Sequence, residues 1–207
     1  MCATRSTGGL RLTELGASTT ELLVATAVSG LLIAISVPVL DDGLRGAAMN
    51  RAAAQVQGLL VRCRAVAVMR GHACAVVFDR DDDGSWRCYV AEDGDGDGIR
   101  RTDIHQKIDV VVGRVVTIAS GGAGPGILTG TEVPDPSGRG ILGGDLGDPI
   151  RAGRGNIITF SARGTATPSS VYFTDFSRRM LVLRVYGGTG RINRLAWRRG
   201  LREWQQL

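Results

Sequence analysis

The sequence predicts an α+β chain: a long amino-terminal helix, half membrane-spanning and half amphipathic, packed on an antiparallel β-sheet head. Three observations carry that prediction. Residues 22–40 run for nineteen positions without a formal charge, enough to cross a hydrocarbon core as a helix. Residues 44–70 place Ala48, Ala52, Val56, Leu59, Cys63 and Val66 at spacings of three and four, the period of a helix with one apolar face. Beyond residue 71 the pattern changes to short β-branched and aromatic runs separated by Gly, Pro and Asp, which read as strands and turns.

The 207 residues suffice for one globular domain plus an anchor, and 43% apolar with 22% charged residues argues against general disorder. The net charge of +5 is carried almost wholly by arginine, Lys107 being the only lysine. A high-GC genome produces that bias, so it does not by itself signal guanidinium chemistry. Cys2, Cys63, Cys74 and Cys88 match no zinc or haem spacing, and His72 and His105 are the only histidines. There is no P-loop, G-x-S-x-G or H-E-x-x-H. The chain therefore reads as a non-enzyme without a resident cofactor.

Taken in order, residues 1–16 carry Arg5 and Arg11 against Glu14, and Asp41 and Asp42 follow the apolar run. That asymmetry favours a cytoplasmic amino end and an exported carboxyl end. A secretory signal peptide fits poorly, because the apolar run is long and no convincing A-x-A site follows it. A plain one-span anchor leaves Gly16 and Glu21 unexplained. A lone carboxylate in hydrocarbon costs several kcal/mol. Glu21 lies about one helical turn, about 5.4 Å, from Ala17, and a cationic partner near it would relieve that cost. The helix is expected to continue past Pro38, with Gly43 and Gly46 as a soft spot before the amphipathic half.

The strands follow. His72–Phe78 and Trp86–Val90 flank an acidic turn and form a hairpin. Centred near Asp81, that hairpin sets Cys74 opposite Cys88, where an oxidising compartment would permit a disulfide; two small apolar residues in the sheet are the alternative. Residues 108–118 give one long or two short strands, and residues 156–164, 170–175 and 180–197 supply three or four more. Residues 119–155 hold twelve glycines and four prolines. They are too long for an ordinary connection and read as a mobile insertion or a functional loop.

Two stretches carry candidate chemistry. Asp93, Asp95 and Asp97 alternate ahead of Gly98, a spacing used by calcium loops. The twelfth position holds Ile104 rather than a glutamate, with Asp103 one place early, so a solvated turn competes with Ca2+ binding. The carboxyl end holds Arg178, Arg179, Arg184, Arg191, Arg194, Arg198, Arg199 and Arg202, interleaved with Trp197 and Trp204 and opposed only by Glu203. Such a face suits phosphate contact and base stacking, or simply keeps a surface solvated.

Gly16-Ala17-Ser18-Thr19-Thr20-Glu21-Leu22-Leu23-Val24 resembles the processing site of type IV pilins and type II secretion pseudopilins. The resemblance implies that a prepilin peptidase cuts after Gly16, that the new amino terminus at Ala17 is N-methylated, and that Glu21 pairs between subunits as a filament grows. Pro38 stands where the family often has a helix-kinking proline; Ala17 replaces the usual Phe. Phe160, Gly164, Thr189, Gly190 and Arg191 are similar to the carboxyl-terminal pattern of the GspH/FimT branch. The fold implied is pilin-like, with a leader at 1–16, a transmembrane and assembly helix at 17–40, an amphipathic continuation at 41–70, and a periplasmic β-rich head at 71–207 that includes the 119–155 insertion. The function implied is that of a minor pseudopilin, single-pass in the bacterial inner membrane, whose partners are other pseudopilins or pilins, the peptidase and the membrane. The alternative is a type IV minor pilin that takes up DNA through Arg191, Arg194, Arg198 and Arg199. Its Gly-Arg-x-Arg motif is only approximated by Gly190-Arg191-Ile192-Asn193-Arg194.

Overall fold

One 52-residue helix, α1 (Thr19–Arg70), runs unbroken through Pro38, Gly43 and Gly46. The computed structural model describes residues 18–118, 122–153 and 155–207, so the expectations for Gly16, Ala17 and the leader lie outside the described residues. Pro38 removes one backbone donor, yet the helix carries on at both sides of it. The helix stops at Gly71, whose φ of 76° and N–H to the Ala67 carbonyl (3.0 Å) form a left-handed cap. The chain divides into two units at Asp41/Asp42. In the first, every described residue from Ser18 to Leu40 is exposed, and the helix is long and apolar enough to cross a membrane.

The second unit holds two antiparallel sheets. β1 (Cys74–Arg80) pairs with β2 (Trp86–Glu92); a short α2 (Arg101–His105) precedes β3 (Val110–Ile118), and β6 (Ile157–Phe160) closes a four-stranded sheet of order β3-β2-β1-β6. The other sheet is built from β4 (Gly124–Pro125), β7 (Ser169–Thr174), β8 (Arg179–Val185), β9 (Ile192–Arg198) and β10 (Gln205–Gln206), in the order β10-β9-β8-β7-β4. A further short strand, β5 (Ile150–Arg151), also pairs with β7. The sequence expectation of a long helix followed by antiparallel sheet is met.

The helix stripe and the inner faces of both sheets make one core. Ala48, Ala52, Val56, Leu60, Cys63 and Ala67 pack with Val76, Phe78, Ile158, Phe160, Val171, Phe173, Leu181 and Leu183. Leu59 and Val66, expected on the stripe, are only partly buried, and Leu60 and Ala67 take the inner positions. A 3.6-residue turn drifts across a strict three-and-four spacing over several turns. Strand alternation then divides β1: Cys74, Val76 and Phe78 face the helix, whereas Ala75 and Val77 face outward beneath Ile99 and Ile104.

The 119–155 insertion is a correction to the sequence reading. Its described residues pack as a cover on the outer face of the second sheet. Ile127, Leu128, Val133 and Leu142 are buried against Tyr172, Met180, Val182 and Trp197. Two short strands tie it to β7, through Gly124 opposite Thr174 and Ile150 opposite Val171. Its glycines and prolines build turns of a packed cover, and the four apolar side chains supply the burial that holds it.

The carboxyl-terminal signature is assembled by packing. Gly190 has φ 59° and donates its N–H to the Tyr186 carbonyl at 2.7 Å. A Cβ on Gly190 would collide with the Gly164 carbonyl oxygen and lie 3.1 Å from Arg64 Nε. A Cβ on Gly164 would lie 3.5 Å from Val68. The two glycines thus let two turns meet each other against α1, beside the buried Phe160.

Candidate assembly helix, acidic loop and basic face

Ser18-Thr19-Thr20-Glu21 forms a reciprocal cap at the start of α1. Glu21 Oε2 accepts the Ser18 N–H at 3.1 Å, while Ser18 Oγ accepts the Thr20 N–H at 3.3 Å. The S-x-x-E pattern is that of a capping box, here with the Ser18 hydroxyl on the second rather than the third helical amide, a signal present in the sequence that the assembly reading of Glu21 passed over. The carboxylate also sits at the positive end of the helix dipole. Further along, Thr26 Oγ1 donates to the Leu22 and Leu23 carbonyls (2.9 and 3.0 Å), and Ser36 Oγ to the Leu32 carbonyl (2.7 Å). The Thr26 and Ser36 hydroxyls inside the apolar run are therefore satisfied by their own helix, as a segment surrounded by hydrocarbon requires.

Gly46, read from sequence as part of a soft spot, is buried and lets a cation approach. A Cβ there would collide with Arg179 Nη1. Arg179 donates to the Asp42 carbonyl (3.2 Å) and to Asp42 Oδ2 (2.6 Å), and Arg178 Nη2 lies 2.7 Å from the same carboxylate oxygen. The Arg178 hydrogen bond, with the charges of Arg179 and Arg178, holds the Asp42 carboxyl below its usual range.

The basic end is largely committed within the fold. Arg184 donates to the Pro136 carbonyl at 2.8 Å. Arg194 is half-buried and donates to Asn50 Oδ1 on α1 at 2.6 Å. Strand alternation explains this: Ile192 packs on the inner core, so Arg194 shares its face, while Leu195 and Trp197 turn outward under the insertion. Arg191, Arg198 and Arg199 are exposed. Arg199 reaches the Gly130 carbonyl at 3.5 Å. The tryptophans correct the stacking expectation. Trp197 is 3% exposed and donates to the Leu201 carbonyl at 2.9 Å, and Trp204 donates to the Pro134 carbonyl at 2.7 Å. Their ring centroids stand 6.4 Å apart. They anchor the cover, and the buried Trp197 offers no free ring face for a base.

In the acidic loop, Asp93, Asp95 and Asp97 do come together, with carboxylate oxygens within 4.8 Å of one another. Asp103 stands apart from that cluster, on α2. The loop spends its carboxylates on itself. Asp93 accepts the N–H groups of Gly96 (2.8 Å) and Gly98 (3.1 Å), Asp95 accepts that of Asp97 (3.3 Å), and Asp97 pairs with Arg100. Asp109, not singled out from sequence, is 1% exposed and accepts the N–H groups of Gly94 and Arg100 at 3.2 and 3.1 Å. It is the buried tie of this loop. A single aspartate ahead of a valine run gave no motif to mark it.

The proposed Cys74–Cys88 pairing is overturned by strand register. Cys74 stands opposite Glu92 and Cys88 opposite Phe78, because the hairpin centres on Asp83 rather than Asp81. None of the three described cysteines is covalently linked to another. Cys88 Sγ lies 3.6 Å from the Val116 carbonyl, and burial pushes its pKa up to about 12. Cys63, on the helix stripe, has its Sγ 3.1 Å from that of Cys74. That contact, together with burial, raises the Cys63 thiol.

No family model, curated protein or solved structure matches the chain.

Proposed function

We propose that this chain is a minor pseudopilin of the GspH/FimT type, a structural subunit inserted in the inner membrane and built into a type II secretion pseudopilus, with its β head on the periplasmic side. The observation that carries the reading is a single helix with two uses. Its first part is exposed and apolar with Glu21 at the third helical position, and its second part supplies the spine of an antiparallel head. The Gly16–Glu21 processing pattern supports the same reading from sequence.

Glu21 then has two tasks that can be separated. Within the subunit it caps Ser18; in the filament it would pair with the amine of an incoming Ala17. Glu21→Gln keeps a capping-box side chain and removes the charge, whereas Glu21→Leu removes both. Both variants should insert, since a carboxylate is costly in hydrocarbon, and both should be lost from sheared filaments. Incorporation of Glu21→Gln at the wild-type level would leave capping as the only role and remove the assembly claim. Arg-rich carboxyl strands would make DNA uptake the second function, but the burial of Trp197 and the Arg194–Asn50 bond count against it.

A further inference from the structure

We propose that Cys63 and Cys74 are joined by a disulfide that clasps the end of α1 to the first strand of the head. Cys63 lies two turns before the helix end and Cys74 opens β1; both are 0% exposed, and their sulfurs are 3.1 Å apart. A disulfide bond is about 2.05 Å long, so rotation about the side-chain torsions closes the remaining gap. The intervening chain is already fixed by the Gly71 cap, which turns the helix directly into the strand. Cys88, bonded toward the Val116 carbonyl, is left out.

The attacking species is a thiolate. One cysteine, its proton passed to solvent, attacks an external disulfide and releases one thiolate, leaving a mixed disulfide. The second cysteine, deprotonated in turn, displaces the other half. Cys63 and Cys74 together lose two protons and two electrons, and the external disulfide leaves as two thiols. Because neither sulfur touches solvent in the closed core, the exchange takes place while the head folds, and the finished bond is shielded from reductants.

The oxidising setting rests on the export reading; the geometry does not. Two samples distinguish them. The first is the membrane-bound chain recovered from exporting cells, alkylated under denaturing, non-reducing conditions. The second is full-length chain unfolded and reduced in urea, then refolded in detergent with a mixture of reduced and oxidised glutathione. Trypsin places Cys63, Cys74 and Cys88 in three separate peptides, 63–64, 71–80 and 88–100. The expected result in both samples is a cross-link between the first two peptides with Cys88 alkylated. Cys63→Ser should return Cys74 to the alkylated pool, and Cys88→Ser should leave the link untouched. A link in the glutathione sample with free thiols in cells supports the clasp and moves the failure to the export reading. Alkylation of Cys63, Cys74 and Cys88 alike after glutathione refolding, or any link that includes Cys88, overturns the clasp.

Discussion

Replacing Gly190 by alanine tests whether the carboxyl-terminal signature is a packing device. The backbone there has φ 59°, and holding an L-residue in the left-handed region costs about 1–2 kcal/mol. The added Cβ meets the Gly164 carbonyl oxygen, a backbone atom, and sits 3.1 Å from Arg64 Nε. Overpacking of that kind adds about 1–3 kcal/mol. A loss of about 3 kcal/mol is therefore expected, and in a domain of this size it lowers Tm by about 6–12 °C. Gly188→Ala is the control, two residues away in the same turn. A methyl added at Gly188 would meet nothing within 4 Å, and the backbone there has no left-handed φ, so this variant should stay within about 0.5 kcal/mol of wild type. The assay is thermal unfolding in detergent followed by tryptophan fluorescence, for which the buried Trp197 is a natural reporter. Equal Tm values for Gly190→Ala and wild type, or equal losses for the two variants, would refute the packing account.

Further outcomes follow from the charged contacts. Asp42 has its folded pKa depressed below the unfolded value, so its contribution is present above about pH 4 and is lost as pH falls through the folded value. Asp42→Asn should thus melt earlier than wild type at pH 7, and the gap should narrow as pH falls through the folded value; equal melting of the two at pH 7 would contradict the Arg178 and Arg179 pairing. Arg194→Gln removes the Asn50 hydrogen bond and should cost about 1 kcal/mol in urea unfolding, unlike Arg191→Gln on the exposed turn. The wild-type chain should give no electrophoretic shift of DNA at physiological salt. A shift that weakens on changing Arg191 and Arg194 together to Gln, with a salt slope flattened by roughly 0.7–0.9 per lost phosphate contact, would instead favour DNA uptake.

The sequence carried the architecture because its periods are physical. A charge-free run, a three-and-four stripe and alternating strands each demand a particular neighbour, and the structure supplies it for the stripe and the strands. What escaped reading depended on register and on long-range cover. The acidic run from Asp79 to Asp83 holds four aspartates, and only Gly84, with φ 83°, marks where the turn closes. Misplacing the centre by two residues kept every side chain on its correct face yet gave Cys74 the wrong partner. The insertion misled for a different reason. Its glycine and proline content suggested a loop, while Ile127, Leu128, Val133 and Leu142 show no period along the chain and find their shared face only across the sheet. At the amino end, Ser18 and Glu21 spelled a capping box that was legible all along.

The amino terminus of the protein recovered from membranes tests the central claim most directly. Intact-mass and terminal-peptide mass spectrometry, on cells that contain the prepilin peptidase, should find a chain that starts at Ala17 with a methylated amine, and Gly16→Leu should leave the precursor uncut. A mature chain that starts beyond Pro38 would mean ordinary signal-peptidase processing, loss of the assembly helix, and failure of the pseudopilin account.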